Sequence, residues 1–63
     1  MTSRLIGLRK LAGLNQKELA SLLGVTAVTV SKWEQGRLAI APENLEKLTE
    51  IFKCSKGYLL GEE

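Results

Sequence analysis

Residues 16–35 of the chain read Gln-Lys-Glu-Leu-Ala-Ser-Leu-Leu-Gly-Val-Thr-Ala-Val-Thr-Val-Ser-Lys-Trp-Glu-Gln, with apolar residues at helical spacing on both sides of Gly24. Gly24 can adopt the positive φ that ends a helix. Thr26 is a suitable N-cap for the next helix. Because only about three residues separate the two helices, they must cross at a steep angle. The stretch therefore predicts two helices joined by a tight turn.

The residue types in this stretch meet the packing requirements of a helix-turn-helix. Ala20 is small where the second helix must approach the first closely. The positions that must face the core are apolar, namely Leu19, Leu23, Val25, Val30 and Trp33. Any small helical bundle also has apolar spacing and glycine turns, and that alternative stays open at this point.

The sequence also predicts where helices 1 and 2 begin and end and which of their residues are buried. We predict a first helix that starts near Thr2 or Ser3, after which Gly13 adopts the left-handed C′ conformation. Asn15 followed by Glu18 has the spacing of a capping box for helix 2. The residues predicted to be buried are Leu5, Leu8 and either Leu11 or Ala12 in helix 1, and Leu19, Leu22 and Leu23 in helix 2.

Three more helices are predicted after the turn. The third runs from Thr26 to about Gln35, and Pro42 suits the first turn of the fourth because proline lacks the N–H. Ser55 can cap a short fifth helix that Gly61 ends. Its predicted apolar residues are Tyr58, Leu59 and Leu60, and those of helix 4 are Leu45, Leu48, Ile51 and Phe52. We therefore predict an all-α fold of five helices, with residues 1–63 as one domain.

Composition excludes several classes of site. The chain has 63 residues, one cysteine and no histidine, so neither an internal disulfide nor a His/Cys zinc site can form. Cys54 is predicted to be a small core residue rather than a redox sensor. Glu43, Glu46 and Glu50 share one face of helix 4 and are interpreted as a solvated face. We expect no enzyme activity, cofactor, metal or small-molecule ligand.

No apolar run is long enough to cross a bilayer, and the N-terminus lacks the apolar core of a signal peptide. We therefore expect a cytoplasmic protein that does not bind membranes. The net charge of +2 is small, but it is unevenly distributed. Residues 1–40 hold six lysines and arginines against two glutamates, whereas residues 41–63 hold three against five. The N-terminal two-thirds is the part suited to face a polyanion.

Three short motifs resemble a known family. Gln-Lys-Glu-Leu-Ala from Gln16, Gly-Val-Thr from Gly24 and Ser-Lys-Trp-Glu-Gln-Gly from Ser31 resemble the Cro and phage-repressor type of helix-turn-helix, also called xenobiotic-response-element-like. Cys54-Ser55 followed by Tyr-Leu-Leu-Gly from Tyr58 is similar to that family's last helix. The resemblance implies a compact five-helix, lambda-repressor-like DNA-binding domain, commonly a symmetric dimer on a partly palindromic operator.

The predicted outward face of helix 3 would read bases in the major groove. The predicted base contacts are Thr26, Ala27, Val28, Ser31 and Lys32. Ala27 and Val28 can contact only thymine methyl groups, whereas Lys32 can donate to guanine O6 and N7. An exposed valine is also ordinary on protein surfaces. Lys32 is equally compatible with a phosphate contact or with simple solvation.

Backbone contacts would flank this helix. The predicted phosphate contacts are Asn15, Gln16, Lys17, Thr29, Gln35, Arg37 and Arg9. The first N–H groups of helix 2 favour an anion. The resemblance implies that Arg9 also pairs with Glu34 inside the domain; a free surface cation is the alternative.

A two-fold contact would place two reading helices about 34 Å apart. Leu38, Ile40 and Tyr58 are predicted to form it, with packing onto the domain's own core as the alternative. The sequence thus predicts a dimeric, sequence-specific double-stranded DNA-binding regulator, a repressor rather than an activator. The alternative is a protein-interaction module, such as an antitoxin-type partner-binding domain.

Overall fold

The computed structural model describes residues 3–62 of the chain. Five helices follow one another: α1 (Leu5–Leu11), α2 (Gln16–Leu23), α3 (Ala27–Glu34), α4 (Pro42–Phe52) and α5 (Lys56–Leu59). Residues 3–62 contain no β-strand. The predicted all-α fold with five helices is confirmed.

Each of the five helices contributes to one apolar core. The buried residues are Leu5, Leu19, Ala20, Leu23, Val30, Trp33, Leu48 and Leu59. A second shell of half-buried apolar side chains packs around them: Leu8, Leu14, Val25, Ile40, Leu45, Ile51, Phe52 and Cys54. Full burial of one leucine or valine side chain is worth about 1.5–3 kcal/mol relative to exposure. The core therefore holds α3 by its inner face and leaves its outer face to solvent.

Local hydrogen bonds and one left-handed glycine define the start of α2 and the turn between α2 and α3. Asn15 Oδ1 accepts from the Glu18 N–H at 2.7 Å, and Glu18 Oε1 accepts from the Asn15 N–H at 2.9 Å. Gly24 ends α2 with a φ of 71°. Thr26 Oγ1 then accepts from the Thr29 N–H at 3.2 Å and caps α3. The capping box, the glycine and the threonine cap predicted from the sequence are all present.

The ends of α4 and α5 combine expected and unexpected features. Pro42 opens α4, and Ser55 Oγ accepts from the Tyr58 N–H at 3.0 Å, so both predicted starts are confirmed. Lys53 ends α4 in the left-handed region, with a φ of 52°. Side chains larger than glycine are disfavoured there. A lysine at this position gives no sequence signal for such a turn.

The prediction for α1 is wrong at the start of the helix and in the burial of its end, whereas Gly13 follows the helix in the predicted left-handed conformation, with a φ of 73°. The helix begins at Leu5 with Arg4 as its N-cap, and Ser3 precedes it; Thr2 lies outside the described residues. Leu11 is 86% exposed, and Ala12 is exposed as well. Because α1 has only two turns, the side chains of Leu5 and Leu8 already occupy the part of the helix that packs against the core.

The predicted burial of Leu22 is also wrong, since that side chain is 59% exposed. Leu19, Ala20 and Leu23 form the buried face of α2. At 100° per residue these three span an arc of about 100°, and Leu22 lies about 60° outside it. An apolar residue at helical spacing can therefore still lie beyond the edge of the buried face.

Candidate nucleic-acid interface

The outer face of α3 is open to solvent. Val30 and Trp33 are buried, which fixes how the helix is rotated about its axis. Val28 is 63% exposed and Lys32 is exposed, whereas Ala27 and Ser31 are half-buried at the margins. An apolar side chain and a cation thus lie one turn apart on an open helix surface.

At each end of α3, two polar side chains hydrogen-bond to one another. The Thr26 and Thr29 hydroxyl oxygens lie 3.1 Å apart, and Thr26 Oγ1 also caps the helix. Gln35 Nε2 donates to Ser31 Oγ at 2.9 Å. The Thr26 hydroxyl is therefore already used within the chain, and Ser31 and Gln35 orient one another.

The amino end of α2 lies next in the predicted interface. The N–H groups of Gln16 and Lys17 are the first two of the helix and have no intrahelical acceptor. Together with the positive end of the helix dipole they favour an anion. Asn15 and Lys17 are exposed and Gln16 is half-buried. Asn15 uses its side-chain oxygen for the cap, so its amide nitrogen is the group left for a ligand.

Glu34, the last residue of α3, is the centre of a polar network. Arg9 Nε lies 2.7 Å from Glu34 Oε2, and Arg9 Nη2 donates to Glu34 Oε1 at 3.4 Å. Gln16 Nε2 donates to the same Oε1 at 2.8 Å. The side chains of Arg9 and Glu34 are 11% and 4% exposed. The ion pair between α1 and α3 therefore forms in a largely buried setting.

The hydrogen bonds of Arg9 bear on its second predicted role. Its Nη1 donates to the Leu14 carbonyl oxygen at 2.9 Å, in addition to the two contacts with Glu34. Three of its nitrogen atoms are thus engaged within the chain. Two of the five guanidinium N–H bonds remain for a phosphate. Among the other predicted phosphate contacts, Arg37 is exposed and Thr29 is half-buried.

The three residues predicted to form a dimer contact have different environments. Leu38 is 45% and Tyr58 is 41% exposed. Ile40 is half-buried and packs against the core. The guanidinium of Arg4 lies over the Tyr58 ring, 4.2 Å from its centroid. Leu38 and Tyr58 thus offer apolar surface, whereas Ile40 serves the chain's own core.

Within residues 3–62, no three or more His, Cys, Asp or Glu side chains come together as a metal site would require. No helix in that range combines the length and apolar character needed to cross a membrane.

A family model described as helix-turn-helix matches residues 5–59. The chain belongs to the helix-turn-helix family. The matched range includes both helices of the turn, the Arg9–Glu34 pair and Tyr58. The resemblance to phage repressors seen in the sequence is confirmed by a curated relative, repressor protein C2 of Salmonella phage P22, which is 35% identical over 60 residues. This alignment covers 95% of the chain but 28% of the relative, so the chain spans about a quarter of the repressor's length.

Three solved structures superpose closely on the chain. The crystal structure of the P22 c2 repressor in complex with synthetic operator 9T has a TM-score of 0.86 at 33% identity, covering 95% of this chain and 91% of that one. The NMR structure of the P22 c2 DNA-binding domain gives 0.79 at 34%, covering 89% and 74%. A transcriptional regulator from Listeria innocua gives 0.86 at 29%, covering 97% and 61%.

Two contacts of this helix-turn-helix domain had no signal in the sequence. The Gln16–Glu34 hydrogen bond joins residues 18 positions apart, and the Arg4 hydrogen bond to Tyr58 spans 54. Local patterns reach only three or four positions, so neither contact is predictable from them. The predicted DNA contacts themselves stay predictions.

Proposed function

We propose that the chain is a sequence-specific repressor that binds double-stranded DNA with α3 in the major groove. The observation that carries the proposal is the outer face of α3, where exposed Val28 and Lys32 stand opposite the buried Val30 and Trp33. An α-helix fits the major groove and can present such a face to base edges. Similarity to a phage repressor whose structure was solved on an operator supports the proposal.

Base reading is assigned to five residues of α3 and its cap. Val28, with Ala27 at its side, contacts thymine methyl groups, because neither side chain can form a hydrogen bond. Lys32 donates to guanine O6 and N7, and the Ser31 hydroxyl donates to an acceptor on a neighbouring base. Thr26 lies at the start of the helix and contributes its methyl group, since its oxygen is used for capping.

Backbone contacts are assigned to the residues around this face. The N–H groups of Gln16 and Lys17 and the side chains of Asn15, Gln16 and Lys17 hold one phosphate at the start of α2. Further phosphate contacts are assigned to Thr29, Gln35, Arg37 and the remaining donors of Arg9. These contacts fix the orientation of the protein and supply most of the affinity that does not depend on sequence.

We assign a homodimer on a palindromic operator, acting in the cytoplasm. Leu38 and Tyr58 form the two-fold contact. Ile40 packs against the core and so anchors the loop between α3 and α4 that carries Leu38. Two reading helices then enter major grooves about one helical turn apart. Residues 1–63 act as one DNA-binding domain, with no catalytic reaction.

Selection of bound duplexes from a random library at near-physiological salt tests this proposal. Enrichment of a palindrome with half-sites about one turn apart is the expected result. Val28→Glu and Lys32→Glu should abolish the enrichment while circular dichroism shows an intact helical fold. Lys47→Glu, at an exposed position of α4, is the matched control and should retain it. Equal enrichment by all four proteins, or none by the folded unsubstituted chain, contradicts the proposal and favours a protein-interaction module.

A further inference from the structure

The Glu34 carboxylate lies where three parts of the domain meet. It belongs to the last turn of α3, it pairs with Arg9 of α1, and it accepts a hydrogen bond from Gln16, the first residue of α2. With 4% exposure it has almost no surface of its own to offer to DNA. The same oxygen, Oε1, receives both Gln16 Nε2 at 2.8 Å and Arg9 Nη2 at 3.4 Å.

We propose that Glu34 is a positioning residue for DNA binding, acting through Gln16. It holds the Gln16 carboxamide in one orientation, so that the phosphate contact at the start of α2 stays in register with the base contacts of α3. The inference rests on the proposed DNA-binding function. It assigns a role in binding to a residue that touches neither base nor phosphate.

The chemistry of a glutamine side chain explains why a hydrogen bond from Gln16 to Glu34 would favour DNA binding. A free glutamine rotates about three bonds, and fixing it on binding opposes association. Gln16 Nε2 carries two protons, and donating one of them to Glu34 leaves the second for a phosphate oxygen. The reading helix itself thus orders the phosphate-binding side chain before DNA arrives.

Charge explains why a carboxylate is tolerated at this place. A bare carboxylate beside the DNA backbone would repel phosphates. Arg9 Nε lies 2.7 Å from the other carboxylate oxygen and compensates that charge. The pair leaves Oε1 as a strong acceptor for Gln16 without a net negative charge at the interface.

Two double variants isolate the hydrogen bond from the ion pair. Arg9→Met with Glu34→Gln removes both charges and keeps an amide oxygen for Gln16. Arg9→Met with Glu34→Met removes both charges and that acceptor. Replacing a buried ion pair by well-packed apolar side chains of similar volume is often neutral or stabilising, and the Glu34→Gln change keeps an acceptor that is hydrogen-bonded to Gln16, so both proteins should fold. Each is also made with Gln16→Ala, and all four are checked by thermal unfolding.

Binding is measured on the duplex enriched from the random library and on an unrelated duplex. With Gln16 present, the Glu34→Met protein should bind both duplexes more weakly than the Glu34→Gln protein, by roughly 2- to 10-fold per half-site. The salt dependence should be the same for both, because a neutral amide releases no counterion. With Gln16→Ala, the difference between the two should disappear.

Equal binding by the two proteins with Gln16 present overturns the inference. A difference that persists with Gln16→Ala overturns it too, because Glu34 would then act on the fold and not through Gln16. Failure of the unsubstituted chain to retain any duplex contradicts the proposed function instead, so the two failures are distinguishable.

Discussion

Arg4 fastens the start of α1 to α5 through Tyr58. The Arg4 guanidinium carbon lies 4.2 Å from the centroid of the Tyr58 ring, and its Nη1 donates to the Tyr58 carbonyl oxygen at 2.6 Å. The Arg4 N–H donates to the Leu59 carbonyl oxygen at 2.8 Å. These contacts are formed by residues from opposite ends of the described chain. They should therefore contribute to the stability of the fold.

Arg4→Ala should lower the free energy of unfolding by about 1–2 kcal/mol, because it removes a cation–π contact and a charge-assisted hydrogen bond. Urea denaturation monitored by circular dichroism measures the change. Lys10→Ala, at an exposed position of the same helix, is the control and should change stability by less than about 0.5 kcal/mol. Equal unfolding midpoints for the two variants would contradict the role given to Arg4.

Gly24→Ala should destabilise the domain by about 1–2 kcal/mol, since a φ of 71° is unfavourable for a residue that has a Cβ atom. A Cβ at this position would meet no atom within 4 Å, so the effect is conformational and not a clash. Gly7→Ala is the matched control, because Gly7 lies inside α1 and its added Cβ also meets nothing. That change should stabilise the protein by up to about 1 kcal/mol. Thermal unfolding of both should give shifts of opposite sign.

Lys53→Gly should raise the free energy of unfolding by about 0.5–1 kcal/mol. The φ of 52° at the end of α4 strains a side-chain-bearing residue, and glycine relieves that strain while adding flexibility to the unfolded chain. Lys56→Gly, within α5, should instead be destabilising, because glycine is a poor helix former. A loss of stability in the Lys53 variant would show that its side chain contributes more than the strain costs.

Lys32→Ala should relax the preference at one base pair of each half-site by about 1–3 kcal/mol and leave the other positions unchanged. Competition binding with single-base variants of the selected duplex measures this. Lys47→Ala should leave every preference as it is. Uniform weakening across all variants would instead assign Lys32 to a phosphate.

Affinity should fall steeply with salt if the predicted phosphate contacts form. A dimer with about six to ten phosphate contacts loses roughly 10³- to 10⁵-fold in affinity between 50 and 200 mM salt. Fluorescence anisotropy across that range gives the slope. Arg37→Ala should reduce the slope by about one per protomer, whereas a slope near zero would contradict the electrostatic part of the interface.

Features set by near neighbours in sequence were predictable. The α2 cap depends on Asn15 and Glu18, the turn on Gly24, and the α3 cap on Thr26, and each acts within three residues. The ion pair of Arg9 with Glu34 was predicted only through the family resemblance. The outer face of α3 followed once Val30 and Trp33 were assigned to the core.

Features set by tertiary packing were not predictable in the same way. Apolar spacing did not show that Leu11 and Leu22 are exposed, because a short helix contacts the core over a narrow arc. The left-handed Lys53 lacks the glycine that normally marks such a turn. The hydrogen bond from Gln16 to Glu34 joins two residues that come together only in the folded chain.

The contacts between Arg4 and Tyr58 also affect the order in which the parts of the domain fold. Closing a loop between residues 54 positions apart carries a larger entropic penalty than closing the short turn between α2 and α3. Contacts close in sequence form early in folding, so we expect α2 and α3 to dock first. The amide of Arg4 should then exchange with solvent through openings that leave the α2–α3 pair intact.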